Sequence, residues 1–249
     1  MTLDFLTPES RSDGLVIASY GGGTNSTAML IGCAEKRIKV DLILFADTGG
    51  EKPHTYAYVD LFSDWLEQNG MPRVVTVEQQ ISLEQDCLTR GALPGVAYGF
   101  KSCSDRWKIR PQNNYIKENG LTIGTKLIGF DAGEPQRAKE IEGNRYPLIE
   151  WDWDRDDCIA AIERAGLPLP GKSSCFFCPN SKKSEIREMA VQYPDLAARA
   201  LKMEAGAELT HIAGLGRTFS WDALLATGDM FEDEYDVAPE MPCGCYDGD

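Results

Sequence analysis

The chain is 249 residues long, 43% hydrophobic and 9% aromatic, enough for one large α/β domain or a domain with a smaller appendage. No apolar run approaches the roughly 20 residues that span a bilayer, and the polar first 14 residues, with Asp4, Glu9 and Asp13, do not read as a signal peptide; a cytoplasmic protein without a membrane partner is expected. A formal charge of −14 argues against unaided binding to DNA or RNA, because phosphate backbones need local positive charge.

Taken in chain order, apolar runs alternate with helical spacing. Residues 15–20 (LVIASY) run into GGGTN and then STAMLIGCAEK, the order of strand, glycine turn and helix. Residues 40–47 (VDLILFAD) read as a strand buried on both faces, followed by TGGEKPH and a helix over 55–68 with Tyr58, Leu61, Phe62, Trp65 and Leu66 on one face. Residues 73–78 and 126–131 are the next strand candidates, and 91–111, rich in Gly, Pro and polar residues, reads as a loop. Beyond Trp151 helices are expected over 154–165, 181–192 and 195–208, with a cysteine-bearing loop at 171–179. From Glu204 onward eleven acidic residues stand against one basic, the composition of a solvated or partner-facing tail.

This alternation predicts an α/β fold: a doubly wound, mostly parallel sheet with helices on both faces, plus a smaller C-terminal helical, cysteine-bearing region. Residues 1–150 are read as the nucleotide-binding domain and 151–249 as the helical region with its CxxC loop and acidic tail. Ligands of such sheets bind at the carboxyl ends of the strands, where both the GGGTNS and the DTGGE turns fall.

Gly21, Gly22 and Gly23 remove Cβ atoms where the backbone must approach an anion closely. Thr24, Asn25 and Ser26 offer donors and start a helix whose free N–H groups favour phosphate. The loop is neither a Walker A motif nor GxGxxG. Taken by itself, it is equally the sequence of a tight structural turn.

With its companions, the loop resembles that of the PP-loop ATP pyrophosphatases, and among them the phosphoadenosine-phosphosulfate (PAPS) reductase-like family, whose loop runs Ser-Gly-Gly-x-Asp-Ser. Here Gly21 stands for the first serine and Asn25 for the aspartate. Asp47-Thr48-Gly49 with Glu51, Pro53 and Thr55 is similar to the family's DTG turn, and Cys103 with Lys108 and Pro111 to its Cys-x-x-x-x-Lys-x-x-Pro segment. Gly129 to Glu134 with Arg137, and Tyr146 to Trp151, complete five ordered matches over roughly residues 15 to 150. The resemblance implies that Ser19 and Gly21 to Ser26 bind nucleotide phosphates, and that Phe45, Asp47, Thr48, Gly49 and Gly129 line the adenine nucleotide. It also implies that Lys108, Asp131, Glu134 and Arg137 serve catalysis, with Mg²⁺ accompanying ATP.

Eight cysteines are too sparse for a disulfide scaffold, so grouped ones suggest metal or redox chemistry. Cys175 and Cys178 form a C-x-x-C before Pro179, Cys103 is the natural third ligand, and Cys243 or Cys245 could supply a fourth. A [4Fe–4S] cluster, structural zinc and uncommitted thiols stay open; the neighbours of Cys103 are Ser102 and Ser104, whereas cluster-bearing reductases carry a Cys-Cys pair. Cys33, Cys87 and Cys158 fall within or beside helical patterns and read as small core residues.

Three functions follow. In the first, ATP adenylates an acceptor, with release of pyrophosphate, and a sulfur donor such as a cysteine desulfurase displaces AMP; nucleic acid enters only as a substrate or through a partner. In the second, a tail cysteine in Cys243-Gly244-Cys245 attacks the sulfur of PAPS or adenylylsulfate, and thioredoxin releases sulfite. In the third, the chain is a non-catalytic nucleotide-binding subunit, with Asn25 marking lost catalysis.

Overall fold

The apolar run at Leu15–Tyr20 forms strand β1, and the glycines after it turn the chain into helix α1 (Thr24–Glu35). The computed structural model describes residues 14–97 and 100–227. Strand β2 (Leu42–Asp47), helix α2 (Pro53–Gln68), strand β3 (Val74–Glu78) and helix α3 (Leu83–Arg90) follow. Pro53 opens α2, where its missing N–H costs nothing. Ser82 caps α3 by accepting from the Gln85 amide, and Gly91 ends it in the left-handed region.

The segment expected as a loop over 91–111 is largely structured instead. It holds a short hairpin of β4 (Val96–Ala97) and β5 (Phe100–Lys101), then α4 (Ser102–Ser104) and a π-helical turn at Asp105–Ile109 that runs straight into α5 (Arg110–Glu118). The chain misled because Pro111 lies in the first turn of a helix, where proline is tolerated, and does not end one. Strand β6 (Ile123–Ile128) starts and stops three residues earlier than its apolar pattern suggested, so Gly129 to Asp131 belong to the turn that follows. A 3₁₀ turn at Pro135–Arg137, β7 (Asn144–Arg145), α6 (Pro147–Glu150), α7 (Arg155–Arg164), α8 (Lys183–Gln192), α9 (Pro194–Ala205) and α10 (Trp221–Ala226) complete the described elements.

The main sheet has the order β3-β2-β1-β6-β7, and every neighbouring pair is parallel. Side chains alternate across it as a strand's period of two requires. Ala18, Tyr20, Ile43 and Phe45 pack with α1, α2 and Cys158, Ala161 and Ile162 of α7, while Ile17, Leu44 and Ala46 face Ile116 of α5 on the other side. The doubly wound parallel sheet is therefore present. A second core joins Leu83, Cys87 and Trp107 to Phe176, Phe177 and the C-terminal helices α8, α9 and α10.

From β1 the chain moves outward through β2 to β3, then returns to place β6 on the other side of β1. The strand order thus reverses between β1 and β6, and a crevice opens beyond their carboxyl ends. The Gly21 turn follows one of these strands and the Gly129 turn the other.

Candidate functional site

The turn after β1 is shaped by its own side chains. Gly22 has φ +72°, and a Cβ there would lie 3.0 Å from Thr55 Cγ2 and 3.5 Å from Phe45 Cε2. The Gly21 amide donates to Ser26 Oγ (3.1 Å), and that hydroxyl donates onward to the Gly23 carbonyl (3.2 Å). One expected phosphate donor, the Gly21 N–H, is thus used inside the loop. Gly23 caps α1 with extended backbone and no side-chain acceptor, so the amides of Thr24, Asn25 and Ser26 have no intrahelical partner. A Cβ on Gly129 would stand 2.9 Å from Ser26 Cα and 3.0 Å from Ser26 N; only glycine lets the end of β6 lie against the first turn of α1.

These two turns border a cleft of about 640 Å³. Of the residues singled out from the sequence, Ser19, Gly21, Gly23, Thr24, Asn25 and Ser26 line one wall. Gly129, Asp131, Glu134, Arg137 and Lys108 line the other parts. Ser19 is buried and donates to Oε1 of the buried Gln112 (2.9 Å), which ties β1 to α5. Arg155 and Lys172 also line the cleft, and nothing in the sequence singled them out: one begins a helix and the other stands in the loop before Cys175. The lining carries four basic side chains (Lys108, Arg137, Arg155 and Lys172) against three acidic ones, in a chain of formal charge −14.

Each cation is placed by a partner. Arg137 donates to Glu134 (2.7 Å), with its guanidinium 4.2 Å from the Phe130 ring centroid. Lys172 pairs with Glu185 (2.7 Å), and Lys108 Nζ lies 3.4 Å from the buried Glu51 carboxylate. Arg155 Nη1 donates to Asn25 Oδ1 (2.8 Å), and Asn25 Nδ2 donates to Asp131 Oδ2 (2.8 Å). The other Asp131 oxygen accepts from the Gly133 amide (2.9 Å). Lys108 stands on the π-helical turn, whose Arg106 and Trp107 line a second cavity of about 600 Å³ beyond the end of β3.

The DTG turn lies apart from the cleft lining. Phe45 is buried beneath Gly22 in the core; Asp47 Oδ1 accepts from the Gly49 amide (2.7 Å) and the Tyr56 hydroxyl (2.8 Å). Burial, then the Asp47 carboxylate, push the Tyr56 phenol well above its ordinary value. The Thr48 carbonyl, part of the backbone expected at adenine, accepts from Leu83 N (2.9 Å). Gly49 has φ +70°, and a Cβ there would strike Ser82 Cβ at 2.5 Å. The cysteine loop is strapped to this turn: Phe176 N donates to Gly50 O (2.8 Å), and Glu51 and Cys175 form an antiparallel bridge.

That strap decides the cysteines. Cys175 Sγ lies 3.1 Å from Thr48 Oγ1, and burial, then the Glu51 carboxylate, push its thiol well above the ordinary range. Cys103 borders the same core, and the Cys178 amide closes the loop on the Cys175 carbonyl (3.0 Å). The expected ligand set of Cys103, Cys175 and Cys178 does not converge: among the described residues no three His, Cys, Asp or Glu side chains are placed to hold a metal ion. Cys243 and Cys245 lie outside the described residues. The described residues by themselves therefore supply no three-ligand site for a cluster or a zinc ion. At Asn25 and Asp131, each Asp131 oxygen accepts one N–H group and the Asn25 oxygen accepts from Arg155. Cys33, Cys87 and Cys158 are buried in the cores, as expected, with thiols pushed up to about 12 by desolvation.

No family model matches the chain. A curated relative, the nin region protein ORF290 of Escherichia phage lambda, is 27% identical over 197 residues, covering 68% of this chain and 67% of that protein. Among solved structures, the chain is similar to a PAPS reductase from Candida auris in its phosphate complex, with a TM-score of 0.42, 19% identity, and coverage of 64% of this chain and 80% of that one. It is also similar to the U34-tRNA thiolase NcsA from Methanococcus maripaludis with its [4Fe-4S] cluster, with a TM-score of 0.44, 16% identity, and coverage of 77% and 72%. In its own residues, the ordered motifs from Gly21 to Trp151, set around one parallel sheet, are what make the chain resemble the PP-loop adenine nucleotide α-hydrolases of the PAPS reductase-like type.

Proposed function

We propose that the chain is an adenine-nucleotide enzyme that adenylates an acceptor with ATP, in support of sulfur transfer. The observation that carries this reading is the bare first turn of α1, opened by Gly23 and pressed by Gly129, at the point where the strand order reverses. The triphosphate would run along the amides of Thr24 to Ser26, with the rest of the nucleotide in the cleft they border.

An acceptor oxygen attacks the α-phosphorus, the bond from that phosphorus to the bridging oxygen breaks, and pyrophosphate leaves with the electron pair. The growing charge is met by the α1 amides and by the guanidinium of Arg137, fixed by Glu134 and Phe130. Lys108 adds a second cation from the π-helical turn. The acceptor then carries AMP as a leaving group, which the outer sulfur of a persulfide on a donor protein of the cysteine desulfurase class displaces; a thiol reductant then cleaves the resulting S–S bond and leaves the sulfur on the acceptor. No step is assigned to iron or to Mg²⁺. A nucleic-acid acceptor would need a partner to offset the acidity of the chain.

Labelled ATP and labelled PAPS, tested side by side on purified full-length protein, decide between the readings. AMP and pyrophosphate from ATP, formed in step with modification of an acceptor, support adenylation. Sulfite from PAPS with reduced thioredoxin supports a sulfonucleotide reductase acting through Cys243 or Cys245. Nucleotide binding with neither product leaves a binding subunit. Iron and zinc analysis of anaerobically purified protein settles the cofactor: about four iron atoms and absorbance near 400 nm mark a cluster.

A further inference from the structure

The cleft contains a side-chain relay that the proposed reaction does not use. The Asn25 carboxamide joins Arg155, on the first residue of α7, to Asp131, after β6. Its orientation is fixed by chemistry, because a guanidinium only donates and a carboxylate only accepts: the amide oxygen must face Arg155 and the amide nitrogen Asp131. Arg155 is not needed to finish its own helix, since the Asp154 side chain accepts from the Asp156 and Asp157 amides. The arginine instead reaches across to α1, and the hydrogen bond to Asn25 engages Nη1 alone of its donors.

The position of this relay matters because Asn25 has two roles at once. Its backbone N–H belongs to the bare first turn of α1, and its side chain anchors the guanidinium. A phosphate held by that turn therefore lies within reach of Arg155, and the remaining donors of the planar fork suit phosphate oxygens. An aspartate at position 25 would instead set two carboxylates about 2.8 Å apart, an arrangement that a bridging cation or a shared proton must relieve. Here an amide hydrogen bond joins positions 25 and 131 directly, and the Asp131 charge is further offset by the Gly133 amide.

We infer that Arg155, positioned by Asn25, is a phosphate-binding residue of the cleft and supplies the positive charge that a divalent cation shared by positions 25 and 131 would otherwise bring. This rests on the nucleotide-binding reading above and extends it: ATP binds as the free anion, clamped by fixed side chains.

The test is calorimetric binding of ATP and of adenosine to the full chain, with Mg²⁺ and with EDTA. Wild-type affinity for ATP is expected to change by less than about threefold when Mg²⁺ is removed, because a fixed arginine replaces the ion. Arg155→Gln, which stays polar but carries no charge, should weaken ATP binding by about tenfold and leave adenosine binding unchanged, the loss of one charge-assisted contact. Arg155→Lys should recover part of the loss, and Asn25→Asp should bind ATP weakly in EDTA and regain affinity with Mg²⁺. Thermal melting of each variant checks that it is folded, and Arg155, exposed at a helix start, should tolerate replacement. ATP binding by Arg155→Gln within about twofold of wild type, or wild-type binding that needs Mg²⁺, overturns the inference while nucleotide binding stands. Failure of the wild type to bind ATP in either buffer overturns the nucleotide reading itself.

Discussion

Gly129 and Ser26 meet where the turn after β6 lies against the first turn of α1, and each has one physical task. Ser26 keeps the glycine turn folded by accepting from Gly21 and donating to Gly23; Gly129 keeps a side chain out of the space in which α1 begins. Ser26→Ala should cost about 1 kcal/mol of stability, the value of such a hydrogen bond, and raise the ATP dissociation constant several-fold by loosening the turn. Gly129→Ala should do more harm, because its Cβ meets backbone that cannot rotate away: about 1–3 kcal/mol of stability is expected to go, with at least tenfold of nucleotide affinity. Denaturant titration and ATP calorimetry on both variants check the order, and a Gly129→Ala protein that binds ATP as wild type would show the cleft to lie elsewhere. The sequence marked Ser26 as a donor to phosphate. Only the folded loop shows its hydroxyl already engaged.

At the scale of elements, the acidic C-terminal stretch gives the clearest departure from expectation. Glu204 opens the run of acidic residues read as a solvated or partner-facing tail, most of which lies outside the described residues, yet it is buried on α9 and accepts from the amides of Leu215 (2.6 Å), Trp221 (2.9 Å) and Asp222 (3.0 Å). This one carboxylate holds the connection after α9 and the start of α10, where Trp221 enters the second core. Glu204→Ala should leave three N–H groups without their acceptor and cost about 2–4 kcal/mol. Hydrogen exchange should show residues 206–227 opening well before the main sheet; uniform protection across the chain would contradict that role. Composition could not mark Glu204, because burial of a carboxylate depends on three amides that arrive from later in the chain.

For the whole molecule, the buried thiols predict an alkaline limit. Cys33, Cys87 and Cys158 are each pushed up to about 12 by desolvation, from an ordinary value of 9.0. A group with a raised folded-state pKa lets the unfolded chain lose its proton first. Its contribution is therefore complete below the ordinary thiol value and is lost as pH rises toward 12. Melting temperature should hold between pH 7 and 8 and fall steeply from about pH 9 upward, beyond the fall in a variant with all three cysteines replaced by alanine. Equal slopes for the two proteins would show that other groups set the limit. Both major cores contribute to this, since Cys33 and Cys158 lie in one and Cys87 in the other.

Apolar period, glycine punctuation and the order of short motifs determined by themselves that a parallel sheet forms, that helices cover both of its faces and that the glycine turn falls at a strand's carboxyl end, because these depend on neighbours along the chain. The Arg155–Asn25–Asp131 relay, the burial of Glu204 and the inward turn of Cys175 onto Thr48 were decided only by the tertiary structure. Each joins residues separated by more than ten, and in two cases by more than a hundred, positions, and a hydrogen bond between such partners exists only after the strands have set their order.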